Sequence, residues 1–117
     1  MELQQGEINL YVSDLERAAG FYTTALGFEV FESNEGWRRL QNGPVVLTMF
    51  LSKMPGPAPA PGMQPCMTAD LKVDDIEEAH ARLTAAGADV GEIQDWPGGK
   101  HLMFRDLDGI GWELLSS

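Results

Sequence analysis

Between Glu7 and Val12 apolar and polar residues alternate. Ile8, Leu10 and Val12 fall on one side, and Glu7, Asn9 and Tyr11 on the other. That period of two predicts a half-buried strand. The period then changes. Leu15, Ala18, Ala19, Tyr22, Ala25 and Leu26 recur three and four residues apart, which predicts an amphipathic helix. Ser13 and Glu16 suit a capping box at its start, and Gly27 suits a C-terminal stop. Three strands are predicted next, at Glu29 to Ser33, Trp37 to Gln41 and Val45 to Leu51. Asn42-Gly43 signals a hairpin turn between the last two.

The same order recurs further on. Ala69, Leu71 and Val73 form a strand face, Asp74 or Asp75 caps a helix, and Ile76, Ala79 and Leu83 share one helical side before Gly87. Strands are predicted at Asp89 to Asp95, Lys100 to Arg105 and Gly111 to Leu115, with Asp108-Gly109 at the last turn. The two copies align directly at an offset of 61. Val12 matches Val73, Asp14 matches Asp75, Leu15 matches Ile76, Glu16 matches Glu77 and Ala18 matches Ala79. A repeat of this length is two copies of one supersecondary unit and too long for a solenoid. The expected fold class is α+β, two βαβββ modules in one domain spanning 1–117. Module one covers 5–53, a proline-rich connector 54–65 and module two 66–117. The connector either joins the modules or covers a cleft as a lid.

Composition narrows the function. The chain has 117 residues, a length suited to one core. Net charge is −10. Such a surface repels phosphate backbones, so nucleic acid is not an expected partner. It suits solubility or attraction of a cationic ligand. No apolar run approaches membrane-spanning length, and Met1 to Glu7 has no leader-like pattern. The single cysteine, Cys66, allows no internal disulfide and reads as a small apolar residue. Cytoplasmic placement is the expectation.

Two stretches carry a family resemblance. VSDLERAAGFYTTALGFE, Val12 to Glu29, resembles a V-x-D-hydrophobic…F-Y-x-x-x-L-G-F motif. FRDLDGIGWELL, Phe104 to Leu115, resembles F-x-D-P-D-G-x-x-x-E-L, with Leu107 where proline is usual. In this order, with the internal repeat, they resemble the vicinal-oxygen-chelate superfamily, which holds glyoxalases, bleomycin resistance proteins and dioxygenases. The resemblance implies two modules whose sheets curl into an open cup, a homodimer (often with exchanged modules) and a ligand on the concave face.

The resemblance also implies four metal-ligand positions, on the first and last strand of each module. Here they correspond to Glu7, a position near Leu47, Thr68 and Glu113. Val45 to Phe50 offers no carboxylate, imidazole or amide, and a threonine hydroxyl is a poor ligand for a transition ion. Two carboxylates hold Mg²⁺ or Mn²⁺ weakly at best. The expectation is therefore no cofactor, or a weakly held divalent cation at Glu7 and Glu113. Without metal these two carboxylates have three candidate roles: accepting hydrogen bonds from an amine-bearing ligand, acting as a general base, or pairing with Arg38, Arg39 or Lys72.

Neither histidine falls on a ligand position. His80 is placed mid-helix, and His101 on a strand that faces the cup. Trp37 and Trp96 stand at strand edges beside turns, where an indole packs as a rim or stacks on a planar ligand. Trp112, next to Glu113, points to the opposite, core side. The candidate ligand-binding set is Glu7, Trp37, Leu47, Thr68, Trp96, His101 and Glu113. Two functions compete: a metal-free protein that sequesters an organic, cationic or aromatic ligand, resembling bleomycin-type resistance proteins, and a metal-assisted lyase, isomerase or dioxygenase using Glu7 and Glu113.

Overall fold

A computed structural model describes residues 1–2, 4, 6–52 and 69–117. The expected connector 54–65, Cys66 and Thr68 lie outside the described residues. The chain divides into two compact units. Both carry the expected α+β pattern.

The first unit runs β1 (Ile8–Val12), α1 (Leu15–Leu26), β2 (Glu29–Ser33), β3 (Trp37–Asn42) and β4 (Val45–Leu51). The sheet order is β1-β4-β3-β2, with β1 parallel to β4 and the other pairs antiparallel. Helix α1 buries the predicted stripe of Leu15, Ala18, Ala19, Tyr22 and Ala25, together with Phe21. The Tyr22 ring meets those of Phe21 and Phe28 edge-on. Asp14, and not Ser13, is the N-cap. Its backbone is extended and its carboxylate accepts from the Arg17 N–H at 3.0 Å. The helix thus starts one residue later than the capping-box reading placed it, and Glu16 falls too early to reach back to the cap. Gly27 ends α1 at φ 70°, a left-handed conformation that suits glycine. In the β3–β4 hairpin Asn42 pairs with Val45, so the two turn residues are Gly43 and Pro44.

The second unit runs β5 (Ala69–Lys72), α2 (Ile76–Ala85), β6 (Asp89–Val90), β7 (Gln94–Trp96), β8 (Gly99–Arg105) and β9 (Gly111–Ser116). The order is β5-β9-β8-β6, with β7 also on β8. Asp75 caps α2, accepting from the Glu78 N–H at 3.0 Å. The helix lays Ile76, Ala79 and Leu83 over a core of Leu102, Phe104, Trp112 and Leu114. Phe104 and Trp112 stack at 6.5 Å between ring centres. The single strand predicted over Asp89 to Asp95 is split. Val90 pairs with Phe104 and Gln94 with His101. Four steps on one side meet three on the other, so one residue leaves the ladder around Gly91.

Lys100 on β8 reaches α2, with Nζ 2.8 Å from Glu77 Oε1. The hydrogen bond from Lys100 holds the Glu77 carboxyl below its ordinary value, and Glu77 holds the Lys100 ammonium above its own. The Glu77 contribution is present above its unfolded pKa and is lost as pH falls through the folded one. The Lys100 contribution is present below its unfolded pKa and is lost as pH rises through the folded one. The pair therefore helps at neutral pH, weakly, because both groups are exposed to screening. Glu77→Gln is expected to lower the denaturation midpoint slightly at neutral pH and low salt. The difference should vanish in strong acid and in high salt. A difference that survives both conditions contradicts an electrostatic role.

Candidate ligand-binding faces

Residues paired across neighbouring strands project from the same side of a sheet, so the registers sort the candidates by face. In the first unit Ile8 pairs with Leu47, Leu10 with Met49 and Leu40 with Leu47. Leu10, Leu40, Leu47 and Met49, with Val12, make the buried face. Asn9 and Arg39 both pair with Thr48, and Tyr11 and Trp37 with Phe50. These residues, with Glu7 two positions before Asn9, make the opposite face. Trp37 is thus half-buried among face residues, and Tyr11 and Phe50 stack at 5.7 Å.

Leu47 is therefore not a face residue. It is fully buried in the core, and Thr48 takes the position expected near it. The strand pairing shows which residues correspond. Ile8 corresponds to Ala69 at 61, but their partners Leu47 and Trp112 stand 65 apart. Turn and strand lengths differ between the modules, so Thr48 is the counterpart of Glu113.

Thr48 is only 4% exposed, and its hydroxyl donates to Glu7 Oε2 at 2.6 Å. The other Glu7 oxygen is ion-paired with Arg39 Nη2. Arg39 also reaches Glu32 at 2.9 Å and lies over the Phe31 ring, 5.2 Å from its centre. Of the three roles open to Glu7, the structure places it in the paired arrangement, with Arg39 as partner. Neither Arg39 nor Thr48 stood among the candidate site residues. The turn residue pair decides them: Gly43-Pro44 as the turn pairs Asn42 with Val45 and Arg39 with Thr48, whereas Asn42-Gly43 would shift the register.

In the second unit Asp70 and Met103 pair with Glu113, and Lys72 and His101 pair with Leu115. His101 also pairs with Gln94, two residues before Trp96. Glu113, His101 and Trp96 thus share the face opposite the core. His101 Nδ1 stands 3.9 Å from Glu113 Oε2, and both side chains are about one-quarter exposed, 28% and 26%. Trp96 is 46% exposed.

The FRDLDGIG segment has a local task. Asp106 Oδ1 accepts from the N–H groups of Asp108 at 2.9 Å and Ile110 at 2.8 Å. Gly109 follows at φ 83°. The motif's aspartate shapes the turn that returns β8 into β9.

A model of the Glyoxalase/Bleomycin resistance protein/Dioxygenase superfamily matches residues 4–114. The chain belongs to that superfamily. Solved structures agree. A glyoxalase family protein from Enterococcus faecalis is 28% identical, with a TM-score of 0.76 and 95% of each chain covered. TioX from Micromonospora sp. ML1 is 26% identical, with a TM-score of 0.74, and the match covers 97% of this chain and 96% of that one. The fosfomycin resistance protein FosX from Listeria monocytogenes matches at a TM-score of 0.81 over 100% of this chain and 95% of its own. At 16% identity it supports the fold alone. A search of curated proteins finds no match.

The superfamily includes metal-dependent members, and the residues described here do not fit such a centre. Both Glu7 oxygens are engaged by Arg39 and Thr48. The module-one counterpart of Glu113 is a hydroxyl. Among the described residues no three His, Cys, Asp or Glu side chains gather as a metal-binding group.

Proposed function

We propose that the protein binds a small organic molecule on the aromatic and polar faces of its sheets and holds it without a metal ion. The observation that carries this reading is the engagement of Glu7. A cation there has to displace a guanidinium that also holds Glu32, and it gains only one carboxylate and a hydroxyl on that sheet. Trp37, Tyr11 and Phe50 instead offer ring surface to a ligand. Binding by occupancy follows, in the manner of the drug-sequestering branch that the sequence resembles.

A second reading rests on the spacing of His101 and Glu113. A carboxylate beside an imidazole suits proton transfer, and the protein is then an enzyme whose acid–base pair lies on the second sheet. Elemental analysis after dialysis, with titration of aromatic ligands, separates the readings. The expected result is no stoichiometric transition metal and saturable ligand binding that Glu7→Gln changes by less than about threefold, under 1 kcal/mol. Metal retained at one equivalent overturns the metal-free reading. Turnover abolished by both His101→Gln and Glu113→Gln establishes the enzyme.

A further inference from the structure

A groove of about 350 Å³ opens in the second unit. Its lining includes Lys72, Val73, Asp74, Trp96, Leu115 and Ser116. The volume lies at the lower end for small-molecule sites, enough for one ring or a fused pair with a short substituent. Lys72 and Leu115 are register partners on the face that carries His101 and Glu113. The groove is thus the end of that face nearest the β7–β8 turn.

Three features give it chemistry. The Trp96 indole is 46% exposed, a large apolar surface left in water. It is held down against the turn: a Cβ on Gly98 would stand 2.8 Å from Trp96 Cη2 and 2.9 Å from Cζ2. A Cβ at 98 would push the indole aside. The flanks carry opposite charges, Lys72 at the end of β5 and Asp74 at the bend before α2. Among the described residues neither forms an ion pair.

We infer that this groove takes an aromatic zwitterion, a flat ring bearing an ammonium and a carboxylate on one short stem, as in an aromatic amino acid. The ring stacks on Trp96 and packs on Leu115. The carboxylate goes to Lys72 and the ammonium to Asp74. A ligand with a single charge leaves one flank uncompensated and loses a charge-assisted hydrogen bond. The inference rests on the small-molecule reading above and specifies its ligand class.

The test is a titration of the intact protein, with chelator present, by calorimetry and by indole fluorescence. The probes are L-phenylalanine, phenethylamine and 3-phenylpropionate, which share a ring and differ in charge. The zwitterion is expected to bind about tenfold or more tightly than either single-charge probe. Lys72→Gln should bring L-phenylalanine down to the level of the amine, and Asp74→Asn down to the level of the acid. Trp96→Ala should remove binding of all three while leaving the denaturation midpoint near wild type. Equal affinity for the three probes, preference for a single-charge probe, binding that survives Trp96→Ala, or no binding at all overturns the inference. A stoichiometric retained metal defeats the metal-free reading and leaves this titration untouched, so the two failures are distinct.

Discussion

Gly99→Ala is expected to destabilise the second unit by on the order of 3 kcal/mol. Gly99 opens β8 with φ at 144°, a conformation that L side chains rarely adopt. A Cβ there would stand 2.0 Å from the Ser116 carbonyl oxygen and 2.8 Å from Ser117 Cα. Both atoms belong to backbone, so no rotamer change relieves the overlap. Relief requires the end of β9 to move away from β8, which breaks the Lys100–Ser116 pairing beside it. Gly111→Ala is the control. Its Cβ would meet nothing within 4 Å, and its expected effect is within about 0.5 kcal/mol. Urea unfolding at constant m-value compares the two. Equal midpoints for Gly99→Ala and Gly111→Ala would falsify the steric account.

Asp106→Ala is expected to cost about 2–3 kcal/mol. Asp106 is 6% exposed, and its Oδ1 accepts two backbone N–H groups. Its own backbone donates to the Ile110 carbonyl at 2.9 Å and accepts from Gly109 at 3.1 Å. Alanine leaves the Asp108 and Ile110 N–H groups without that acceptor in a part-buried turn, and such donors are costly to leave unmet. Asp106→Asn, which keeps one acceptor oxygen, should recover part of the loss. The outcome also separates structure from chemistry, because Asp106 belongs to the most recognisable motif of the chain. A variant that keeps wild-type stability and loses ligand binding would reverse this assignment and move Asp106 into the site.

Much of the architecture is legible in the chain itself. Alternation marked β1 and β5, the three-and-four spacing marked α1 and α2, and Gly27 marked a helix end, because each pattern reports a local geometric period. The repeat at offset 61 brought β1 and β5 into correspondence. What failed were positions that depend on neighbours. The cap shifted from Ser13 to Asp14, since the helix start is set by which side chain reaches a free N–H. The strand over Asp89 to Asp95 broke in two, since an unpaired residue around Gly91 is defined only by its partner strand.

The candidate faces divide the same way. Glu7 was assigned to the face opposite the core from alternation and Glu113 from the resemblance, and Glu113 lies on that face with His101 and Trp96. Leu47 was misplaced by one residue, and in a strand one residue reverses the face. The family motif gave only the neighbourhood of that position, and the strand pairing gives the residue.

Local periodicity in the chain was therefore enough for the repeated βαβββ unit and for the core side of β1 and β5. Partners were another matter. Arg39 holding Glu7, Thr48 closing on the same carboxylate, and Trp96 lying on Gly98 each depend on strand register and on distances between residues remote in sequence. No local period encodes those, because pairing is fixed by hydrogen-bonded ladders between segments and not within them.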